Sequence, residues 1–317
     1  MQITFHVLTI FFVAATIVSS LKLSRWWVKG WDIGRVHLVW SIFVLLILEI
    51  IYLPLNQYWT IIYILILLAS IIYHLNIIFP FTFFHKVEVE KAVESNFSVK
   101  IMAINIRAKN TQYQRLVDLV HQINPDIFLL TEVTQAWLDA TIHLKKQYPH
   151  VILQPQENSY GMTLFSKLPI KKSEIKFLVE NDVPSFHAVI DFKGKEIQFL
   201  ALHPRPPAPS NDEELKDIEI IKVAELVNEN SLPTIVGGDL NDVGWSAITH
   251  KFKKISGLKD PRIGRGFFNS YNALIPIFRF PIDHFFLSDD FKLLKIKRLR
   301  KIGSDHFPIL IEVSIES

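Results

Sequence analysis

Three long stretches without charged residues open the chain, and they constrain its folding more than any other feature. Residues 2–21 and 59–79 contain no Lys, Arg, Asp or Glu, and residues 36–54 contain only Glu49. Each stretch approaches the roughly 20 residues that an α-helix needs to cross a bilayer. Backbone polar groups in lipid must bond within the segment, which favours helices. We therefore expect residues 1–84 to form a transmembrane region of three helices.

Two features of these stretches admit alternatives. A cleaved signal peptide is one alternative for the first stretch, although no basic segment precedes it and two further apolar stretches would anchor the chain anyway. Glu49 is either a functional acid inside the membrane or a side chain that pairs locally or reaches the headgroups near a helix end.

Positive charge is distributed unevenly around the stretches. Lys22, Arg25, Lys29 and Arg35 follow the first stretch, whereas the connection at residues 54–58 carries no charge. Basic residues favour the cytoplasmic side of a membrane. We therefore expect a multi-pass protein of the plasma or inner membrane, with its first loop and its remaining domain in the cytoplasm.

The rest of the chain has the composition of a water-soluble domain. Half of the 317 residues (50%) are hydrophobic, and this excess is concentrated before residue 85. Residues 85–97 are charged and polar, and they form a short linker that would hold the next domain close to the bilayer. Residues 98–317 suffice for one domain with a sizeable core. The absence of cysteine excludes disulfides and thiolate metal sites.

Short apolar runs alternate with amphipathic segments throughout residues 98–317. Apolar runs bounded by turn residues are typical of buried strands, and apolar residues at three- and four-residue spacing are typical of helices. Strands are predicted at residues 97–105, 127–131, 161–166, 187–192, 197–203, 234–237, 284–287 and 309–313. Helices are predicted at residues 113–123, 135–147 and 211–228, the last of them capped by Asn211. This pattern indicates an α/β fold in which sheets stack and helices lie outside.

Polar residues stand in a fixed order at the ends of the predicted strands. They are Asn105, Glu132, His203, Asp239 with Asn241, Asp283, and Asp305 with His306. Carboxylates and other oxygen groups are the ligands that Mg²⁺ prefers, and imidazole exchanges protons near neutral pH. The set therefore indicates a metal-dependent phosphodiesterase site.

The segment VGGDLND is the most specific of these motifs. Two glycines follow an apolar strand, and Asp239 and Asn241 come two residues apart, so both point to one face of an extended segment. Asp239 can then accept a proton from water while Asn241 donates to a phosphoryl oxygen. An Asx turn is the structural alternative.

The other motif residues also have structural alternatives. Asp283 either orients an imidazole or closes a turn, and Glu132 either binds a cation or caps the following helix. Asn105 supports the cation or the phosphate, or it forms a turn. His306 contacts a phosphate or manages protons, but a single histidine is also common as a structural residue.

The order, spacing and flanking strands of these motifs resemble the endonuclease/exonuclease/phosphatase superfamily, whose members include DNase I-like enzymes. The resemblance covers about residues 98–315. It implies a four-layer α/β sandwich of two mainly antiparallel sheets flanked by helices, here preceded by the three transmembrane helices. It also implies a bound Mg²⁺ or Mn²⁺ ion at one edge of the sheets.

The resemblance assigns a role to each motif residue. Glu132 would be the main metal ligand, supported by Asn105 and Asp305. Asp239 would orient or deprotonate water, and Asn241 and His203 would bind the scissile phosphate. His306, oriented by Asp283, would stabilise the transition state or act as an acid or base.

Two features depart from the family pattern, and the second of them concerns the substrate. Thr131 stands where the family often has Gln before the metal-binding Glu. The compact domain also leaves little room for the long loops with which the family's nucleases contact DNA, which argues against cleavage of duplex DNA.

Three further features are candidates for substrate contact. Arg205, in a proline-rich segment, is placed to clamp a second phosphate oxygen, or it is simply exposed. Trp245 and the pair Phe267 and Phe268 contact a base or an acyl chain, or they belong to the core. Residues 292–301 hold six basic side chains, which suits nucleic-acid phosphates, anionic headgroups or a solvated edge strand.

The sequence thus predicts a membrane-anchored, Mg²⁺-dependent hydrolase that cleaves a phosphodiester by in-line attack of water. The predicted substrate is either nucleic acid or a phospholipid headgroup ester, the bilayer is the second predicted partner, and no protein partner can be inferred. The alternative is a catalytically silent membrane protein that uses the same fold to bind a ligand.

Overall fold

The structure is a computed structural model that describes residues 2–92, 98–209 and 213–315. The predicted cap at Asn211 and the start of the first predicted strand at Phe97 lie outside the described residues. Within residues 2–92 the chain forms four helices: α1 (Gln2–Ser20), α2 (Trp26–Ile33), α3 (Arg35–Tyr52) and α4 (Tyr58–Ile78), the last followed by a 3₁₀ turn (Phe79–Phe81).

Three of these helices are long and apolar enough to cross a membrane. They are α1, α3, and α4 together with the turn that extends it to Phe81. The three pack on one another through a cluster that includes Ile42, Leu45 and Leu67. Helix α2 was not predicted, because its short sequence WWVKGWDI falls between two spans and contains a glycine. It connects the domain-side ends of α1 and α3.

The acid that the sequence singles out within the apolar stretches is buried among these helices. The side chain of Glu49 is fully enclosed, and the hydroxyl of Thr9 donates to its Oε1. This local partner agrees with the structural interpretation of Glu49.

The described residues after 97 form two sheets. The first has the strand order β10-β11-β1-β2-β4-β3, and the second has the order β5-β6-β7-β8-β9. The strands of the first are β1 (Ser98–Asn105), β2 (Ile127–Thr131), β3 (His150–Gln154), β4 (Met162–Ser166), β10 (Phe291–Arg298) and β11 (Ile309–Ile315). Those of the second are β5 (Ile170–Lys176), β6 (Ser185–Phe192), β7 (Lys195–Leu202), β8 (Thr234–Asp239) and β9 (Asp283–Leu287).

Helices cover the outer face of each sheet. Helices α5 (Tyr113–Ile123) and α6 (Gln135–Thr141), the latter extended by a 3₁₀ turn (Ile142–Lys146), pack on the first sheet. Helices α7 (Glu213–Val227) and α8 (Ala247–Ser256) pack on the second. A third apolar cluster fills the space between the two sheets. The predicted four-layer α/β sandwich is therefore confirmed.

Burial on both faces explains why the inner strands are continuous apolar runs. In β1, Ile101 and Ala103 face the second sheet, whereas Met102 and Ile104 face α5 and α6. A strand with a helix layer on one side and a sheet on the other has no solvated face to carry polar residues.

Both sheets contain one parallel pair among antiparallel neighbours. Strand β1 pairs in parallel with β2, and β7 pairs in parallel with β8. All four strands end at the same edge of the sandwich. Strands β1 and β8 pack face to face, and their last residues, Asn105 and Asp239, contact each other at this edge. This edge carries the motif residues.

The segment that follows α4 is attached to the domain. Glu88 accepts from Lys253 Nζ at 2.7 Å, and Val89 is buried in the core between the sheets. Lys91 pairs in parallel with Leu293 of the edge strand β10. The described part of the predicted linker thus adds backbone pairing to the lysine-rich edge of the first sheet.

Candidate active site

The motif residues meet at the ends of strands from both sheets. In the first sheet, Asn105 ends β1 opposite Thr131, and Glu132 follows directly. In the second sheet, Asp239 ends β8 and lies opposite Asp283, the first residue of β9. His203 follows β7, and Asp305 with His306 precede β11. The described structure therefore brings all the predicted catalytic and metal-binding side chains to one place.

Unusual backbone conformations turn two of these side chains toward the site. Gly238 has φ of +144°, and a Cβ at this position would lie 2.0 Å from the carbonyl oxygen of Leu202, so only glycine fits. Glu132 and Asn241 have positive φ values of 61° and 51°. Such conformations cost about 1–2 kcal/mol per non-glycine residue, which the surrounding structure must compensate.

Asn105 joins the two sheets through its amide. Its Nδ2 donates to Glu132 Oε1 at 2.8 Å and to Asp239 Oδ2 at 3.0 Å. Its Oδ1 accepts from the backbone N–H of Arg107 at 2.9 Å. The amide oxygen is therefore engaged away from the carboxylates, and the amide NH₂ fixes both of them. Asn105 therefore contacts the predicted main metal ligand Glu132, and its supporting role in metal binding stays a prediction.

Asp239 lies between two imidazoles. Its Oδ2 is 3.6 Å from Nε2 of His203 and 3.6 Å from Nε2 of His306. On the other side of His306, Nδ1 donates to Asp283 Oδ2 at 2.8 Å. The predicted orientation of His306 by Asp283 is thus the geometry observed.

Burial and charge set the protonation of this group. Burial, together with the nearby charge of Asp283, raises the pKa of the Asp239 carboxyl above its usual range. Burial alone would lower the pKa of His306, but the charges of Asp283 and Asp239 outweigh it and raise the pKa of His306 to about 9. His306 is therefore held as an imidazolium near neutral pH.

A cavity of about 460 Å³ opens above these residues. Its floor includes Glu132, Asp305, Asn241 and the two histidines, His203 and His306. One oxygen of Glu132 accepts from Asn105 and the other accepts from the backbone N–H of Ala108 at 2.9 Å. Each carboxylate oxygen keeps a second lone pair for a further partner.

Two groups of side chains have the chemistry to hold a divalent cation. Asp239, Asp283 and His306 offer ligand atoms within 4.8 Å of one another, but the hydrogen bond between Asp283 and His306 already occupies Nδ1. Glu132 and Asp305 line the cavity and are only partly buried, so water can complete a coordination sphere beside them. An all-oxygen set with water fits Mg²⁺ or Mn²⁺ better than a dehydrated set with imidazole.

Two predicted substrate-binding residues lie elsewhere. Trp245 is 3% exposed, and its indole N–H donates to the backbone oxygen of Asp32 in α2. Arg205 donates to Glu180 at 2.6 Å and to Asp182 at 2.7 Å. Neither is among the described residues that line the cavity, because each side chain is committed to these partners.

Sequence reasoning missed several residues of the cavity wall. Tyr271 places its ring 5.0 Å from that of His306, and Tyr160 lies 5.6 Å from His203. Trp26, Gly30 and Ile33 of α2 close another side. Of these residues, only Trp26 is of a type and at a position that the sequence makes noticeable, and a membrane-interface anchor explains this tryptophan equally well.

The two sheets thus bring carboxylates, an amide and imidazoles from the ends of their strands to one cavity. Residues 102–306 match the profile of the Endonuclease/Exonuclease/phosphatase family. No protein with a curated description matches the sequence significantly.

Solved structures of low sequence identity share the fold. Humanized D. rerio TDP2 has 14% identity and a TM-score of 0.58, and the match covers 69% of this chain and 100% of that one. D. rerio TDP2 with a single-strand DNA product has 15% identity and a TM-score of 0.58, covering 68% and 99%. An endonuclease/exonuclease/phosphatase from Beutenbergia cavernae has 15% identity and a TM-score of 0.57, covering 70% and 72%.

Because the family profile spans well over half of its residues, the chain belongs to the Endonuclease/Exonuclease/phosphatase family. Enzymes of this family depend on divalent metal ions, and the chain is accordingly a metal-dependent phosphoester hydrolase.

Proposed function

We propose that this protein is a membrane-anchored, Mg²⁺-dependent phosphodiesterase that uses water as its nucleophile. The observation that carries the proposal is the placement of Asp239 Oδ2, 3.6 Å from each of two imidazoles and hydrogen-bonded through Asn105 to Glu132. The Asp239 carboxylate is thereby close to two imidazoles that can exchange protons. Through the Asn105 amide it is also connected to Glu132, a partly exposed carboxylate that suits a cation.

In this proposal Glu132 and Asp305 hold the cation, with Asn105 positioning Glu132. A bound Mg²⁺ or Mn²⁺ would supply positive charge to the phosphoryl oxygens of the substrate. The hydrogen-bond partners of Glu132, the Asn105 amide and the Ala108 N–H, would fix the carboxylate for a cation.

The side chains around Asp239 carry out the chemistry. Asp239 orients the attacking water and accepts its proton, and His203 and Asn241 contact the scissile phosphate. His306, held protonated by Asp283, donates to the oxygen on which negative charge develops. Asn241 Nδ2 donates one hydrogen to Pro204 O at 2.9 Å, and the second hydrogen of this amide can donate to a phosphate oxygen.

Two kinds of phosphodiester substrate fit the site, a nucleic acid and a phospholipid headgroup ester. The similarity to D. rerio TDP2 with a single-strand DNA product supports nucleic acid. The three helices that are apolar enough to cross a membrane support a phospholipid headgroup ester. The positive residues Lys22 and Arg25 at the domain end of α1 support a domain that faces the cytoplasm.

The test is a hydrolysis panel with purified full-length protein in detergent. Single- and double-stranded DNA, RNA and phospholipid headgroup esters are each incubated with Mg²⁺ or with EDTA. Asp239→Ala is the inactive variant, and Asp118→Ala, which removes an exposed carboxylate on α5, is the matched control. We expect Mg²⁺-dependent turnover that Asp239→Ala abolishes and Asp118→Ala retains. No turnover of any substrate, together with no Mg²⁺ binding by calorimetry, would contradict the proposed enzyme. The remaining interpretation would be a catalytically silent protein that binds a ligand.

A further inference from the structure

A helix of the N-terminal region forms part of the active-site cavity. Trp26, Gly30 and Ile33 of α2 line the cavity together with the catalytic side chains. A Cβ at Gly30 would meet nothing within 4 Å, which shows that this position faces open space. Because α2 connects the candidate spans α1 and α3, the cavity has one wall that sits at the end of the membrane region.

Polar contacts fix α2 against the catalytic domain. Lys29 Nζ lies 2.5 Å from Asp217 of α7 and 3.8 Å from Asp242, which closely follows the catalytic Asp239. The Trp245 indole donates to the backbone of Asp32 at 2.9 Å. These partners come from the segments that build the site, so α2 is held in a defined position over the cavity.

An apolar loop packs beside the start of α3 and precedes Phe280, a residue of the cavity wall. Residues 274–278 include Leu274, Ile275, Ile277 and Phe278, whose exposed fractions run from 48% to 74%. The loop contacts the first turn of α3, where His37 Nε2 donates to the Ile277 carbonyl oxygen at 2.6 Å. Large exposed apolar residues beside a candidate span are suited to the interfacial region of a bilayer.

The other domain-side ends of the spans carry the same kind of side chain. Trp26 and Trp27 follow α1 and are 46% and 44% exposed. Phe83 and Phe84 follow α4 and are 77% and 82% exposed. Aromatic residues favour this depth of the membrane, so these side chains and the loop are all suited to the interfacial region.

The apolar loop leads directly into the catalytic residues. It lies between Tyr271 and Phe280, which both line the cavity. The N–H of Ala273 donates to the carbonyl oxygen of Asp305 at 2.6 Å. A molecule that slides from the loop along Tyr271 therefore reaches Asp305 and His306 without leaving an apolar wall.

From this arrangement we propose that the substrate is a phospholipid that remains in the bilayer and enters between α2 and the 274–278 loop. Its phosphate reaches Asp239, His203 and His306, while its acyl chains stay against the apolar loop. Water adds its oxygen to phosphorus, the bond from phosphorus to one ester oxygen breaks, and a proton passes to the leaving alkoxide. This inference rests on the proposed phosphodiesterase function.

The arrangement favours a lipid over a nucleic acid. A nucleic-acid strand would have to extend its charged backbone past the entrance, where it would meet exposed Leu, Ile, Phe and Trp side chains. Non-sequence-specific nucleic-acid binding depends on basic side chains along the strand's path. Basic side chains near the entrance, Arg279 beside Phe278 and Arg107 beside Asp305, can pair with the phosphate of either substrate, but the exposed apolar loop matches acyl chains, which a nucleic acid lacks.

The experiment compares a membrane-resident substrate with a chain-free one. Full-length protein is reconstituted into phosphatidylcholine vesicles that carry in turn phosphatidylglycerol, phosphatidylethanolamine, a phosphatidylinositol phosphate or sphingomyelin. Lipid turnover is measured with Mg²⁺, and turnover of bis(p-nitrophenyl) phosphate is measured on the same samples. The variants are Ile277→Asp in the loop and Phe177→Asp, a matched control on an exposed residue that does not line the cavity.

We expect Ile277→Asp to lower the ratio of lipid turnover to chromogenic diester turnover by about tenfold, because a charged side chain does not enter the lipid interface. Phe177→Asp should leave this ratio as in the wild type. Equal ratios in both variants would overturn the lipid entrance, as would turnover of the diester and of an RNA or DNA oligonucleotide without turnover of any phospholipid. If the wild type hydrolyses neither the diester nor any lipid, the phosphodiesterase function itself fails.

Discussion

The site has two halves that differ in their exposure to water. The buried half consists of Asp239, Asp283, His203 and His306, which are each at most 4% exposed. The open half consists of Glu132 and Asp305, which are partly exposed to the cavity. One fold thus places a buried group of charged side chains next to carboxylates that water can reach. The first suits proton transfer, and the second suits a cation that retains some of its water.

Folding places the two halves by different means. The buried half comes from the second sheet and from the segment before β11, where a hydrogen bond to Asp283 orients His306 and the Asn105 amide donates to Asp239. In the open half, the Asn105 amide and the backbone N–H of Ala108 fix Glu132, whereas Asp305 lies 3.6 Å from the guanidinium of Arg107. The Asn105 amide also donates to Asp239, but the other described partners of Glu132 and Asp239 differ, so changes in the two halves should have separable effects on turnover and on metal affinity.

The largest effect is expected in the buried half. Asp239→Ala should lower kcat by about 10³-fold or more, because it removes the group that accepts the proton from water. The affinity for Mg²⁺ should change little, since Glu132 and Asp305 remain. Steady-state kinetics and calorimetry check the two quantities on one sample. A parallel loss of both would show that the two halves are not separable.

A smaller loss is expected when the imidazole loses its partner. Asp283→Asn should lower kcat by about 10²-fold with little change in KM, because a neutral amide holds the protonated imidazole of His306 less firmly. A purely structural role would instead lower Tm along with kcat. Thermal unfolding of the variant in the same detergent therefore separates positioning from folding.

The open half should respond through metal affinity. Glu132→Gln is expected to raise the Mg²⁺ concentration for half-maximal activity on the order of 10- to 100-fold, because a neutral amide is a weaker ligand than a carboxylate. High Mg²⁺ should restore part of the activity. Glu174→Gln, on the exposed face of β5, is the matched control and should behave as the wild type. A loss that high Mg²⁺ does not recover would contradict the assignment.

The smallest effect concerns a buried carboxylate outside the site. Burial, with a contribution from Glu180, raises the pKa of Glu219 on α7 to about 8. An unfolded glutamate releases its proton near pH 4.3, so the folded protein holds an extra proton between about pH 4.3 and about pH 8. The free energy of unfolding should fall as the pH rises through this window, by about 3 kcal/mol between about pH 6 and about pH 8.5.

Glu219→Gln removes this proton and should flatten the pH dependence. Tm values of the wild type and the variant, measured at both pH values, check the difference. Because burial is the largest cause of the raised pKa of Glu219, the result also shows how strongly burial shifts a carboxylate in this domain. A wild type whose Tm does not fall at the higher pH would refute it.

The inner strands and helices could be predicted from sequence because buried elements have simple patterns of apolar residues. Strand β2 and helix α5 have the predicted bounds, since one is a continuous apolar run and the other has regular spacing and ends at Asn124 in the left-handed conformation. Strand β5 was missed because its sequence IKKSEIK lies at the edge of a sheet and is mostly exposed. Helix α8 was also missed, although Ser246 and Gly257 cap its ends.

The site was only partly predictable for a related reason. Order along the chain indicates which residues gather at the strand ends, and the structure confirms that they meet. The hydrogen bonds from Asn105 to Glu132 and Asp239 join the two sheets. They depend on how the sheets pack, which cannot be predicted from a local sequence pattern. The same holds for Trp245 and Arg205, whose partners are distant in sequence. The approach of α2 to the cavity is another contact of this kind.

The central claim is that the buried and open halves act together as a metal-dependent phosphodiesterase. The most direct measurement is hydrolysis of bis(p-nitrophenyl) phosphate by the full-length protein in detergent, with Mg²⁺, with Mn²⁺ and with EDTA, for the wild type, Asp239→Ala and Asp118→Ala. We predict turnover that requires a divalent ion, is lost in Asp239→Ala and persists in Asp118→Ala. Turnover that survives EDTA, or that survives the removal of Asp239, would contradict the account.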